Sequence, residues 1–249
     1  MKNMIKVEIC CGSYEDALNA YKGGAKRIEL NSALHLGGLT PSVSSLKLTK
    51  ENTDLNVISM VRVRGAGFNY NNEQFIQMKN EVIELLENGS DGIAFGILDD
   101  KGNIDLERNK EIIDIIKKYN KEVVFHRAFD CSNDPYKSIE QLIDLGVDRV
   151  LTSGLKPKAI EGKKLLKDLQ EKYGNKIELL VGSGVNETNI EELYKDTLIK
   201  QYHSSCKEWI VDNTTIRNGI SYGFNGNKYD IVSKEKVSLF VQKAKEIGV

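Results

Sequence analysis

No block of five or more basic residues occurs anywhere in this chain of 249 residues, and 35 Lys and Arg stand against 36 Asp and Glu, for a formal charge of −1. Electrostatics therefore give no reason to expect nucleic acid or an anionic membrane as a partner. No apolar run approaches the roughly 20 residues that cross a bilayer. The first ten residues lack the long apolar stretch and small-residue cleavage site of a signal peptide. The four cysteines, Cys10, Cys11, Cys131 and Cys206, include no CxxC pair. A bridge between the adjacent Cys10 and Cys11 would be strained. These absences point to free thiols in a reducing cytoplasm. No linker, composition shift or low-complexity tract marks a second domain, so one domain is expected over 1–249.

What the chain does have is alternation. Hydrophobic residues make up 40% of it, in short apolar runs that alternate with amphipathic stretches. Strands are expected over 6–10, 27–31, 57–64, 92–97, 122–128, 148–152, 177–181 and 201–204. Helices are expected over 13–22, 42–50, 72–88, 106–119, 135–145, 159–172, 187–195 and 233–247. Ser13, Asp134 and Asn186 read as N-caps, with Pro135 at a first helical position. Eight such repeats imply a parallel sheet with crossover helices. About 250 residues suits a (β/α)8 TIM barrel. An open dinucleotide-binding sheet would want GxGxxG after the first strand, where this chain has Cys10-Cys11-Gly12-Ser13-Tyr14. Residues 205–232, rich in Asn and Gly and holding the only tryptophan, Trp209, read as a long irregular loop after strand eight.

In a barrel, working groups are expected on inward-facing positions near the C-terminal ends of the strands. Alternation puts Glu8 and Cys10 inward from strand one, opposite Val7 and Ile9. It groups Arg27, Glu29 and Asn31 in strand two, Met60, Arg62 and Arg64 in strand three, and Gln201, His203 and Ser205 in strand eight. In strand five it leaves open whether His126 or Arg127 faces in. Arg27 begins its strand and is expected in a structural ion pair. Glu29, Arg62, His126 and His203 lie late in theirs. Carboxylate, guanidinium and imidazole together suit acid–base work on an anionic substrate. On that reading Glu8, Glu29, His126 and His203 form the catalytic set, with Glu29 or His126 as base. Arg62 and Arg64 clamp a small anionic or phosphorylated metabolite. Thr152 and Ser153 add hydroxyls, and Gly182-Ser183-Gly184 supplies backbone N–H groups at a helix start. The alternative chemistry is metal binding. Cys10, Met60, His126 and His203 are soft or borderline ligands that suit Cu(I), though a site would have to be assembled across strands. From the residues alone, Cys10 reads more readily as a buried, inert thiol.

Several stretches resemble the CutC family. They are Glu8-Ile9-Cys10, Gly23-Gly24-Ala25-Lys26-Arg27-Ile28-Glu29-Leu30, Gly37-Gly38-Leu39-Thr40-Pro41-Ser42, Met60-Val61-Arg62-Val63-Arg64, Phe125-His126-Arg127-Ala128-Phe129-Asp130, Leu151-Thr152-Ser153-Gly154, Gly182-Ser183-Gly184-Val185 and His203-Ser204-Ser205. The resemblance implies a cytosolic TIM-type barrel, a homodimer, and a part in copper homeostasis with copper as ligand. The ligands it implies are cysteines at the ends of strands one and two. The first matches Cys10. The second falls on Asn31, whose amide oxygen is a poor donor to Cu(I), so this chain keeps one of the two thiols. The strand-seven turn has Ser183 where three successive glycines are the family tendency.

Overall fold

The computed structural model describes residues 4–248. Its centre is a closed barrel of eight parallel strands in sequential order. These are β1 (Lys6–Cys11), β2 (Arg27–Leu30), β3 (Asn56–Met60), β4 (Gly92–Phe95), β5 (Glu122–Phe125), β6 (Arg149–Thr152), β7 (Glu178–Val181) and β8 (Gln201–Ser204). The crossover helices are α1 (Tyr14–Lys22), α2 (Val43–Asn52), α3 (Asn72–Glu87), α4 (Leu106–Lys118), α5 (Pro135–Asp144), α6 (Lys163–Tyr173) and α7 (Ile190–Thr197), and α8 (Lys234–Ile247) closes the chain. Among the described residues, no helix is long and apolar enough to cross a membrane.

The main core lies between strands and helices, where Ile9, Ile28, Leu30, Val57 and Val123 pack against Leu46, Val82 and Ile112. A smaller apolar cluster, Ile58, Met60, Ala94 and Val124, fills one side of the interior. Short polar side chains set the helix starts. Ser13 accepts from the Asp16 N–H, Ser42 from Ser45, and Asp134 from Tyr136 and Lys137, with Pro135 following; each satisfies a donor that the first turn leaves unpaired.

Five expectations change. β5 ends at Phe125 and a 3₁₀ turn over Arg127–Cys131 follows, so His126 and Arg127 lie just beyond the strand expected over 122–128. β3 ends at Met60, so Arg62 and Arg64 stand in the loop beyond it. The helix expected over 159–172 is split, because a 3₁₀ turn over Ala159–Glu161 ends at Gly162 before α6 begins. α7 starts later than Asn186; Asn186 accepts from the Thr188 N–H in a local turn, and Asn189 occupies the cap position. Residues 205–232 are not irregular. β9 (Lys207–Val211) pairs antiparallel with β12 (Lys228–Val232), and β10 (Ile216–Arg217) pairs with β11 (Ile220–Ser221) across Asn218 and Gly219. Both of those turn residues have positive φ, at 54° and 76°, as a two-residue hairpin turn requires. The extension leans over the loop after β2, where Phe224 stacks on His35 at 4.7 Å. Its base is tied to α1 by Asp16, whose carboxylate accepts from the N–H groups of Val232 and Gly12.

Candidate metal and ligand site at the barrel mouth

The barrel register sets the site. Glu8 on β1 lies beside His203 on β8, and Cys10 on β1 beside Glu29 on β2. Four inward side chains from three adjacent strands thus form two tiers.

The lower tier is an ion network. Glu8 Oε2 meets Arg27 Nε at 2.8 Å and Arg149 Nη1 at 2.9 Å. Arg149 is fully buried and also reaches Glu122 at 2.6 Å, and Arg27 donates to Gln201 at 2.7 Å. Burial alone would raise the Glu8 carboxyl pKa, but Arg149, Arg27 and His203 outweigh it and hold the group well below the usual carboxylate range. Arg27 is therefore in the structural pair expected of it. Glu8, expected in the catalytic set, lies at the floor and not on the cavity wall, and touches it only through His203. Arg149 was not foreseen. The sign of it was the alternation Arg149, Leu151 against Val150 in strand six, which places a guanidinium inward.

The upper tier is Cys10, Glu29 and His203, whose donor atoms all lie within 4.8 Å of one another. His203 Nδ1 is 3.0 Å from Glu8 Oε1, and its Nε2 is 3.9 Å from Glu29 Oε2. The bond to a carboxylate assigns the proton to Nδ1. Burial would lower the His203 pKa, but Cys10, Glu29 and Glu8 raise it well above the ordinary histidine value. Burial raises Glu29, with His203 opposing, and raises the Cys10 thiol likewise. Asn31 Nδ2 donates to Glu29 Oε2 at 3.0 Å and lies 3.6 Å from Cys10 Sγ. The position where the resemblance places a second thiol therefore does reach the first, and here it carries an amide.

Above this tier opens a cavity of about 270 Å³, lined by Cys10, Glu29, Met60, Arg62, His126 and His203 among others. The open parity of strand five is resolved in favour of His126, which is buried, although Arg127 also touches the cavity. His126 caps the turn after β5, its Nδ1 accepting from the Ala128 N–H at 3.2 Å. Burial and the nearby Arg62 push its pKa down to about 3. Its acceptor nitrogen is thus occupied and Nε2 carries the hydrogen, so the expected role of base is corrected to that of a neutral donor.

The expected anion clamp is corrected as well. Arg62 donates through Nη1 to the carbonyls of Leu36 and Gly38 and through Nη2 to that of Ala66. It lies over the Phe68 ring. Both Nη groups hold loops together, and Nε alone has no partner. Arg64 is off the cavity, bonded to the carbonyls of Gly65, Gly67 and Asn69 and stacked on Tyr70. Thr152 and Ser153 do hold an anion, but it is the protein's own. Asp130 accepts from Thr152 Oγ1, from the Ser153 N–H and hydroxyl and from the Leu155 N–H, and pairs with Arg127 at 2.7 Å. Asp130 was in plain view as the last residue of the Phe125–Asp130 string. The strand-seven turn divides. Ser183 and Gly184 touch the cavity and Gly182 does not. Gly182 allows close packing, since a Cβ there would come 2.7 Å from Leu151. Ser183 takes φ of 79° and donates its hydroxyl to the Pro157 carbonyl. With α7 starting at Ile190, this turn does not deliver a ligand to a helix start.

Chemically, one thiol, one imidazole and one carboxylate converge at the floor of a cavity. Such a set can hold a metal ion, and the thiol–imidazole pair alone suits Cu(I).

The chain is 45% identical over 224 residues to a family protein CutC of Treponema denticola, covering 90% of each. It is 36% identical over 216 residues to the human copper homeostasis protein cutC homolog, covering 87% of this chain and 78% of that one. A solved CutC structure from Streptococcus agalactiae superposes with a TM-score of 0.77 at 33% identity, covering 81% of this chain and 99% of that chain. The phosphoribosylanthranilate isomerase of Pyrococcus furiosus, with a TM-score of 0.58 and 17% identity, shares the barrel fold alone. The family model described as CutC family matches residues 5–208, a span that contains every inward-facing residue of both tiers, and on these grounds the chain belongs to the CutC family.

Proposed function

We propose that this protein takes part in copper homeostasis and that Cys10 is its copper-binding thiol, with His203 completing a Cu(I) pair. The observation that carries the reading is the convergence of Cys10, Glu29 and His203 within 4.8 Å beneath an open cavity. The human relative's name points the same way. Cys10 stands where the family resemblance puts its first ligand, and its thiol sits beside the His203 imidazole, whose other nitrogen bonds Glu8. The protein works in the cytoplasm as a homodimer. Four free thiols support the reducing compartment, and the resemblance supports the dimer.

An acid–base enzyme acting on a small anion draws less support, because Arg64, Thr152, Ser153 and both Nη groups of Arg62 are engaged by the protein itself. The test of the copper reading is a titration of the reduced protein with Cu(I) against a competing chelator. One equivalent is retained by the wild type, and Cys10→Ser loses it. Equal retention by Cys10→Ser overturns the reading.

A further inference from the structure

We propose that Cys10, Glu29 and His203 form a three-ligand site for a divalent cation of the zinc type, with its fourth coordination position open to the cavity. The inference rests on the reading above in taking Cys10 as a ligand. It goes further in assigning the third ligand and the charge of the ion.

Three observations carry it. The first is spacing. Ligand atoms about 2.0–2.3 Å from a tetrahedral zinc ion stand roughly 3.3–3.8 Å from one another. Cys10 Sγ and His203 Nε2 each lie 3.9 Å from Glu29 Oε2, so small side-chain rotations close the site. The second is the support behind the histidine. Glu8 accepts from His203 Nδ1, which turns Nε2 toward Cys10 and Glu29, where an incoming cation displaces the Nε2 proton. The two guanidinium groups on Glu8 keep it a carboxylate. A carboxylate behind a ligating imidazole is the arrangement that orients such ligands in metal sites. The third is an unanswered atom. Glu29 Oε1 is buried and has no hydrogen-bond partner, a costly state for a carboxylate oxygen that a cation held through both carboxylate oxygens would relieve.

Charge and donor type decide which cation. A Cys10 thiolate and a Glu29 carboxylate bring two negative charges into a site beside apolar Met60, Leu34 and Val185. A divalent ion neutralises both, whereas Cu(I) leaves one negative charge in a medium that penalises it. Asn31 in place of a second thiol weakens the site for Cu(I) again. Sulfur, nitrogen and oxygen together are donors that zinc accepts. Three protein ligands with a cavity over the fourth position leave room for water or a small ligand.

The experiment uses the full, reduced chain stripped of metal with a chelator and titrated with Co²⁺, which reports tetrahedral and thiolate ligation by absorbance; Zn²⁺ is then added as competitor. The wild type is expected to bind one Co²⁺ with a thiolate charge-transfer band and to release it to Zn²⁺. Cys10→Ser should abolish the band. Glu29→Gln should weaken Zn²⁺ binding at least about tenfold, the lower end of what even an outer-shell change costs. Circular dichroism confirms that the variants fold. No Co²⁺ band in the wild type, or equal Zn²⁺ affinity in Glu29→Gln, overturns the proposal. The Cu(I) competition run in parallel separates the two readings. Cu(I) retained through Cys10 without Co²⁺ binding sinks this inference and leaves the copper reading. Co²⁺ and Zn²⁺ bound without Cu(I) retention does the reverse.

Discussion

Glu8 and Glu29 are buried carboxylates on neighbouring strands, facing the same interior, yet they are held in opposite ways. Glu8 meets two guanidinium groups and an imidazole. Glu29 meets an amide at 3.0 Å and a thiol and the imidazole at 3.9 Å each, and one of its oxygens meets nothing. The floor of the barrel is electrostatically closed and the tier above it is not. A closed network orders the fold, while an open one can take up an ion. The difference shows that burial of charge by itself does not mark a functional site; whether a buried carboxylate faces opposite charges or an open cavity does.

The comparison can be broken most forcefully at Arg149. Replacing it with Met leaves Glu8 with one guanidinium fewer and strips Glu122 of its partner. A cost of about 3–5 kcal/mol is expected, as for removing one member of a buried pair, read from urea unfolding. A loss under about 1 kcal/mol would show that the floor is not the structural element.

The next effect separates the two inward histidines. His126 has its folded pKa near 3, against an ordinary value of 6.5. Between those values the unfolded chain binds a proton that the folded chain refuses. The stability it contributes is therefore complete above about pH 6.5 and is lost as pH falls toward 3. From pH 7 to pH 5 the loss is about 2 kcal/mol. Unfolding midpoints of the wild type should drop more over that interval than those of His126→Gln. Parallel curves would mean that His126 is not held neutral.

The smallest effect is expected at Glu29. Its hydrogen bonds are few, so Glu29→Gln should move stability by no more than about 1 kcal/mol. A cost as large as that of Arg149→Met would place Glu29 in the structural network and erase the contrast between the tiers.

Much of this was legible in the chain. Alternation of apolar and polar residues placed Glu8, Cys10, Glu29 and His203 inward, because a strand's period of two needs no knowledge of its partners. Local chemistry marked the starts of α1 and α5. The β10–β11 hairpin has its own signal in Asn218-Gly219, but the runs on either side are two residues each and half polar, too short to read as strands. Partner choice was not legible. Arg62 and Arg64 look like an anion clamp until the loops fold back and offer carbonyls. Thr152 and Ser153 look like phosphate ligands until Asp130, 22 and 23 residues away, fills their cradle.

By itself, then, the chain determined the eightfold repeat, the inward parity and the family, since each follows from local periodicity or from short strings of residues. Only the closed barrel decided which charges cancel, which imidazole nitrogen carries the hydrogen and which oxygen is left without a partner. Those outcomes depend on strand register and on distances between residues as far apart as Glu8 and His203, and no spacing along the backbone encodes them.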